Sequence, residues 1–354
     1  MLRALVLTAL ALSPVARAPR SEDDASKLLE GVETVAKTGI PGPVAVFGES
    51  SFAVVAGGLD GSLRAAAIAA GKLGSGRVVA FGHNGYMSAA PMKTGETKLV
   101  MRALLQWAAR TKMKTPRVGA LGGAFADVLK ELGCEVVDVP RGAKPDGVDR
   151  LALIGCAPLS LNEEEAKWLS AYVNAGGAVF CGDTPWGWHQ GNADKAIDTQ
   201  PGQQLLAAAG LAYCDGYLGA TAPDDRFVGA MPSPLLNASH ALDALLAVDA
   251  GKRQLSKEEL AQAVSSLQLT LRWIPEGDFA FRRDLERLVK ERGSEIVPTE
   301  AHPIGNNDAL RRALLSVQIE QLRRTPVAKL RAHPAALDFP GDVEAPAFAQ
   351  TLDI

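Results

Sequence analysis

The chain has 354 residues, 47% of them hydrophobic and 22% charged, with 37 basic residues against 40 acidic ones. That length suits two domains at roughly 100–200 residues each, and the hydrophobic fraction excludes a disordered or collagen-like polymer. The near-cancellation of charge excludes a dominant function on nucleic acid or on an anionic membrane surface.

Residues 1–18, MLRALVLTALALSPVARA, combine Arg3, an apolar run from Ala4 to Leu12, and an A-x-A site at Ala16–Ala18. That order predicts a signal peptide and a secreted or periplasmic product. The run is too short for a membrane span, which takes about 20 apolar residues, and no later segment is apolar enough to provide one. Export would permit disulfides among Cys134, Cys156, Cys181 and Cys214. Each cysteine nevertheless lies in or beside an apolar, strand-like run, so buried thiols are the expected state and one or more disulfides the alternative. Their spacings match no zinc pattern.

Ser21–Gly39 carries Leu28, Leu29, Val32, Val35 and Ala36 at helical spacing, and Gly39-Ile40-Pro41-Gly42 ends it. Two β-rich runs follow, PVAVFGESSFAVVAGG and GRVVAFGHNGY, separated by the alanine-rich Leu63–Leu73, which reads as a helix. A helix over Glu96–Arg110 sets Leu99, Val100, Ala103, Leu104 and Trp107 on one stripe, and Arg110–Pro116 is a basic connector. From Arg117 the pattern alternates: strand RVGALGG, helix Ala124–Leu132, strands CEVVDVP and RLALIGCAP, helix Leu161–Gly176, strand GAVFCGD. Asn162 and Glu165 form a capping-box pair at the start of that last helix. Such alternation predicts an α/β layer fold of flavodoxin-like or class I glutamine amidotransferase-like type, a parallel sheet with helices on both faces. After about Asp224 helices dominate: Ser256 and Glu259 open one, Phe279–Arg292 forms another, the strand SEIVPT follows, and Asp308–Arg324 is a third. The expected division is a leader at 1–18, an α/β segment at 19–112, an amidotransferase-like domain at 113–223, a helix-rich segment at 224–334 packed on the core, and a tail or the start of a further domain at 335–354.

In open α/β sheets ligands bind outside the carboxyl ends of the strands. Two polar, aromatic sequences lie at such ends, GHNGY after RVVAF and GDTPWGWHQGN after AVFC. They supply His83, Asn84, Tyr86, Asp183, Thr184, Trp186, Trp188 and His189 as candidate ligand-binding residues. One reading is a pocket where indole and imidazole groups meet a polar ligand; the other has the tryptophans plugging the sheet and the histidines bonding loop backbone. The nucleophile elbow G-x-C-x-G is absent, since no cysteine has glycine two residues to each side, and no histidine is followed by glutamate, so H-E-x-x-H is absent as well. Gly119-Ala-Leu-Gly122-Gly123 lacks the dinucleotide fingerprint. No catalytic residue, metal site or cofactor is therefore assigned.

The succession GIPGPVAVFGESSFAVVAGG, GRVVAFGHNGY, PWGWHQGN, PGQQLL and GLAYCDG resembles the N-terminal region of the TRP channel-associated factors and of the enhancin-like, mucin-directed zinc metallopeptidases. LLNASHALDALL, EIVPTEAHPI and DFPGDV extend the resemblance over about Gly39–Val343. In that family an amidotransferase-like region precedes a zinc peptidase domain whose H-E-x-x-H has no counterpart in these 354 residues. The resemblance implies a non-catalytic module that binds a protein or glycan partner. The alternatives are a cryptic hydrolase using His83 or His189 with Asp183 or Thr184, and a fragment of a zinc metallopeptidase.

Overall fold

The computed structural model describes residues 21–288 except 112, 278 and 286. The expected leader, the end of the Phe279–Arg292 helix, the strand SEIVPT, the helix Asp308–Arg324 and the tail lie outside the described residues.

The first helix, α1 (Ser21–Leu28), is shorter than its periodicity predicts. Gly31, at φ 72°, turns the chain, and the β-branched stretch beyond it becomes β1 (Thr34–Ala36). Next come β2 (Val44–Val46), β3 (Phe52–Asp60), β4 (Leu63–Leu73) and β5 (Gly76–Phe81). The predicted helix at 63–73 is thus a strand, and a central one: β4 pairs antiparallel with β2, β3 and β5. Alanine favours helices locally, but two-residue loops at Gly61-Ser62 and Gly74-Ser75, each with its glycine at positive φ, close β-hairpins on both sides. The small side chains then fit where the sheet is covered on both faces; Ala65 to Ala70 are all buried.

After β5 the expected alternation holds. Helix α2 (Thr97–Ala109) buries Val100, Met101, Leu104, Leu105 and Ala108, while Leu99 points outward, so its stripe is rotated from the predicted one. Then follow β6 (Arg117–Leu121), α3 (Ala126–Glu131), β7 (Glu135–Val139), β8 (Ile154–Cys156), α4 (Glu163–Asn174) and β9 (Ala178–Gly182). Both halves of the Asn162–Glu165 capping box are formed. The segment PWGWHQG is a short helix, α5 (Pro185–Gly191), rather than a loop. It leads through α6 (Pro201–Ala208) to β10 (Leu211–Tyr213) and β11 (Arg226–Val228), which pairs with β1. The last complete elements are α7 (Ala238–Asp249) and α8 (Lys257–Trp273), the latter opened by the Ser256–Glu259 capping box; helix resumes at 280–285.

The main sheet runs β10-β2-β4-β5-β9-β8-β6-β7, with β3 also on β4. It is mixed. The β5-β9-β8-β6-β7 side is parallel and the β10-β2-β4-β5 side antiparallel, which corrects the expectation of a parallel sheet throughout. Alternate strand residues feed two apolar layers: Val79, Phe81 and Phe180 join α1, α2 and α3, whereas Val78, Ala80 and Cys181 join α4 and α6. The helices α7 and α8 pack in a third cluster around Phe47 and Leu267. Two glutamines substitute for strand partners: Gln203 bonds the N–H and C=O of Tyr213, and Gln262 those of Arg64, all at 2.9 Å.

Candidate functional site

The strands β5 and β9 are parallel neighbours, so their carboxyl ends emerge side by side. From β5 the chain continues over the α2 layer to β6, beyond β9; from β9 it crosses the α6 layer to β10, beyond β5. Adjacent chain exits that diverge over opposite faces leave a crevice between them, where open α/β sheets place their ligands. The two sequence motifs occupy this place. They are joined directly: Asn84 N donates to Thr184 Oγ1 at 3.1 Å, across 100 residues of sequence.

Beneath the rim, the ends of β5 and β9 are fastened by Tyr213, whose hydroxyl donates to Phe81 O at 3.1 Å and Cys181 O at 2.8 Å. Tyr86 belongs to this buried layer as well. It is 1% exposed, donates its hydroxyl to Ala36 O and stacks near Phe81, so it supports the rim and presents no group to a ligand. Asp183 is likewise buried. Its Oδ2 accepts from Leu159 N at 2.8 Å, and burial pushes its carboxyl up to about 7. Of the candidate ligand-binding residues, Tyr86 and Asp183 thus lie in the buried floor beneath the rim.

His83 stands half-buried above them. Its Nδ1 accepts from Gly85 N at 2.8 Å, so the neutral ring carries its proton on Nε2. Desolvation, then the charge of Lys37, lowers its pKa and keeps the ring neutral near pH 7. The ring lies against Gly39, where a Cβ would come within 2.5 Å of Nε2 and where φ is 59°; only glycine suits that position. Lys37 is itself paired with Asp225 at 2.9 Å.

The indoles divide. Trp188 is half-buried against the layer under α4 and α6. Trp186 donates Nε1–H to Ile40 O at 2.7 Å, and its ring meets Tyr217 at 5.4 Å between centroids, tilted by 56°. Tyr217 is 54% exposed and Ile40 47%, while Trp186 is half-buried, bonded to the Ile40 backbone and in ring contact with Tyr217; the three residues form an aromatic and aliphatic patch at the surface. Beside it, His189 Nδ1 lies 2.9 Å from Asp215 Oδ2, both partly exposed. Sequence reasoning missed Ile40, Asp215 and Tyr217. The signals were the GIPGP turn and the CDGY that directly follows strand LAY, both of which Cys214 N→Pro43 O and Leu218 N→Pro41 O draw to the rim.

The patch is a surface. Cavities of about 520 Å³ beside Phe47, Asp243 and Phe281, and of about 420 Å³ beside Val137 and Arg150, share no residue with it. The four cysteines are free and buried, as expected, and burial drives the Cys181 thiol well up, away from a nucleophilic thiolate. Among the described residues no cluster of three or more His, Cys, Asp and Glu is placed to hold a metal, and no helix is long and apolar enough to cross a membrane.

A family model described as TRPM8, N-terminal domain, matches residues 7–222. TRPM8 channel-associated factor 2 of Bos taurus is 29% identical over 179 residues, and the human protein of that name 26% over 193. The Xenopus laevis TRPM8 channel-associated factor homolog is 28% identical over 214 residues. These matches cover 50%, 54% and 57% of this chain but only 18%, 19% and 21% of the relatives. Among solved structures, IMPa from Pseudomonas aeruginosa in complex with an O-glycopeptide aligns over 87% of this chain and 35% of its own, at 14% identity and TM-score 0.47. The IMPa metallopeptidase in complex with T-antigen aligns over 86% and 34%, at 12% identity and TM-score 0.48.

Proposed function

The chain belongs to the family described by the TRPM8 N-terminal domain, and from that premise we propose that it is a non-catalytic, partner-binding module, secreted or periplasmic, that engages a protein through the rim at the ends of β5 and β9. The observation that carries this reading is the open patch of Ile40, Trp186 and Tyr217, anchored by the Trp186–Ile40 hydrogen bond. Partly exposed aromatic side chains held in place combine apolar area with a polar handle, the composition that dominates protein interfaces. The relatives' name associates them with a channel protein, and we carry over only the class, a protein partner. His83, Asn84 and the His189–Asp215 pair supply the polar border. In this reading the parallel half of the sheet is an amidotransferase-like frame whose nucleophile position has been lost, and a leader at residues 1–18 delivers the module outside the cytoplasm.

The test is affinity capture with the immobilised protein, wild type against Trp186→Ala/Tyr217→Ala, together with a glycan array. Retention of a protein by the wild type alone supports the proposal; array binding lost in the same variant instead assigns the patch to a glycan.

A second reading has an observation of its own. Asp215 orients His189 through Nδ1, the relation by which a carboxylate fixes a general-base imidazole. A hydrolase built on it would lose activity in His189→Ala and in Asp215→Asn while keeping its fold, whereas the binding module has no turnover to lose.

A further inference from the structure

We propose that Cys156 and Cys181 are a disulfide-forming pair, closed when the chain folds in the presence of a disulfide oxidant and left open when it folds reduced. The proposal is independent of the binding reading. In the parallel ladder Cys156 is the direct register partner of Cys181, so both side chains leave the same face of the sheet. Paired strands lie about 4.8 Å apart, within the range of roughly 4.4–6.8 Å found between the Cα atoms of bridged cysteines. The Sγ atoms are already 3.7 Å apart, and both are fully buried in the same apolar layer. Cys134 sits in the opposite layer and Cys214 in the third cluster, so these two share no layer with the pair. The location matters because Cys156 is the last residue of β8 and Cys181 the last but one of β9, and the bond from Leu159 N to Asp183 Oδ2 joins the two segments that follow. A bridge here would lie directly under the rim.

Burial also dictates when the bond can form. With both sulfurs inaccessible and the Cys181 thiol driven up by desolvation, thiolate is scarce in the folded sheet, so exchange belongs to the chain before the sheet closes. One cysteine thiolate attacks oxidised glutathione, forming a mixed disulfide and releasing one glutathione thiolate. The second cysteine thiolate attacks the protein sulfur of that mixed disulfide, forming the Sγ–Sγ bond and releasing the second glutathione. The two cysteine protons end on the two glutathione thiols; the cysteines are oxidised and the glutathione disulfide is reduced.

The experiment unfolds and reduces the full chain, refolds it with a mixture of oxidised and reduced glutathione, counts thiols in denaturant, and maps linked peptides by mass spectrometry. The expected result is loss of two of the four thiols, a Cys156–Cys181 peptide, and a higher melting temperature than protein refolded reduced. Reduced protein exposed to the same mixture after folding should keep all four thiols. The Cys134→Ala/Cys214→Ala variant should still close its remaining pair; should that variant not fold, the wild-type map carries the test. Four thiols after oxidative refolding, a bridge to Cys134 or Cys214, or ready oxidation of the folded protein would overturn the proposal.

Discussion

The two halves of the main sheet solve one packing problem with different residues. On the parallel side, β6 to β9 bring Val118 and Phe180 to one layer and Leu121, Val139, Ile154 and Val179 to the other, and the helix α4 before β9 opens with a full capping box. On the antiparallel side, the central strand β4 is LRAAAIAAGKL, with small residues where the other half has large ones. Backbone also approaches closely on this side: a Cβ added at Gly71 would fall 2.3 Å from Ala209 O, and one at Gly82, just past β5, would fall 2.1 Å from Gly42 O. The parallel half has such an approach too, at Gly155, where a Cβ would fall 2.5 Å from Ala124 O, so the halves differ in the size of the side chains that fill the layers. The rim stands on the seam, where β5 belongs to both.

The largest effect should come from removing volume at that seam. Phe81 is fully buried and meets Phe125 and Phe180 at 5.4 Å. Phe81→Ala should cost about 3–5 kcal/mol, read from denaturant unfolding, and should lower stability without changing the sheet's order. A loss below about 1 kcal/mol would mean that the seam does not depend on this cluster.

Asp183 gives a pH-dependent version of the same test. Its carboxyl is raised from 3.8 to about 7 by burial, so the folded chain holds this proton more tightly than the unfolded one. Stability is therefore greatest below the unfolded value and falls as pH rises toward the folded value, levelling above about 7. Asp183→Asn imitates the protonated acid. It should be more stable than wild type at pH 8 by a few kcal/mol, on the order of the shift, and should flatten the slope between pH 4 and 7. Unchanged pH dependence in the variant would show that Asp183 is not the group responsible.

Overfilling should distinguish the halves next. Ala69→Leu in β4 adds volume in a fully buried layer, and should destabilise by about 1–3 kcal/mol; thermal unfolding measures it, and tolerance of leucine would contradict close packing there. The smallest effect is expected at the link between the motifs. Thr184→Val removes the acceptor for Asn84 N and should cost about 0.5–1.5 kcal/mol, with faster amide exchange at Asn84 as the specific sign.

The same contrast decides what could be read in advance. In the parallel half, local signals and tertiary structure agree: the Asn162–Glu165 box and the apolar strands needed no distant partner to be recognised. In the antiparallel half, alanine's helical preference was overruled by pairing on three strands, and the clues were confined to Gly61-Ser62 and Gly74-Ser75. The rim follows the same logic. Its two motifs were legible because polar and aromatic residues directly followed strand-like runs. Ile40, Asp215 and Tyr217 join them only through backbone bonds between segments distant in sequence. The burial of Tyr86 and Asp183 was not legible, because a residue's depth below a strand end depends on the loops that close over it.

The central claim is that the seam carries a binding surface, and quantitative affinity capture tests it most directly. Wild type and Trp186→Ala/Tyr217→Ala would be immobilised at equal density and exposed to separate cytoplasmic and extracytoplasmic protein fractions of the source organism, with bound proteins counted by isotope-labelled mass spectrometry. The account predicts a partner retained by wild type and reduced at least about tenfold in the variant, equivalent to roughly 1.4 kcal/mol, with the variant's melting temperature little changed. A partner captured equally by both proteins would contradict it, because binding would then lie elsewhere on the molecule.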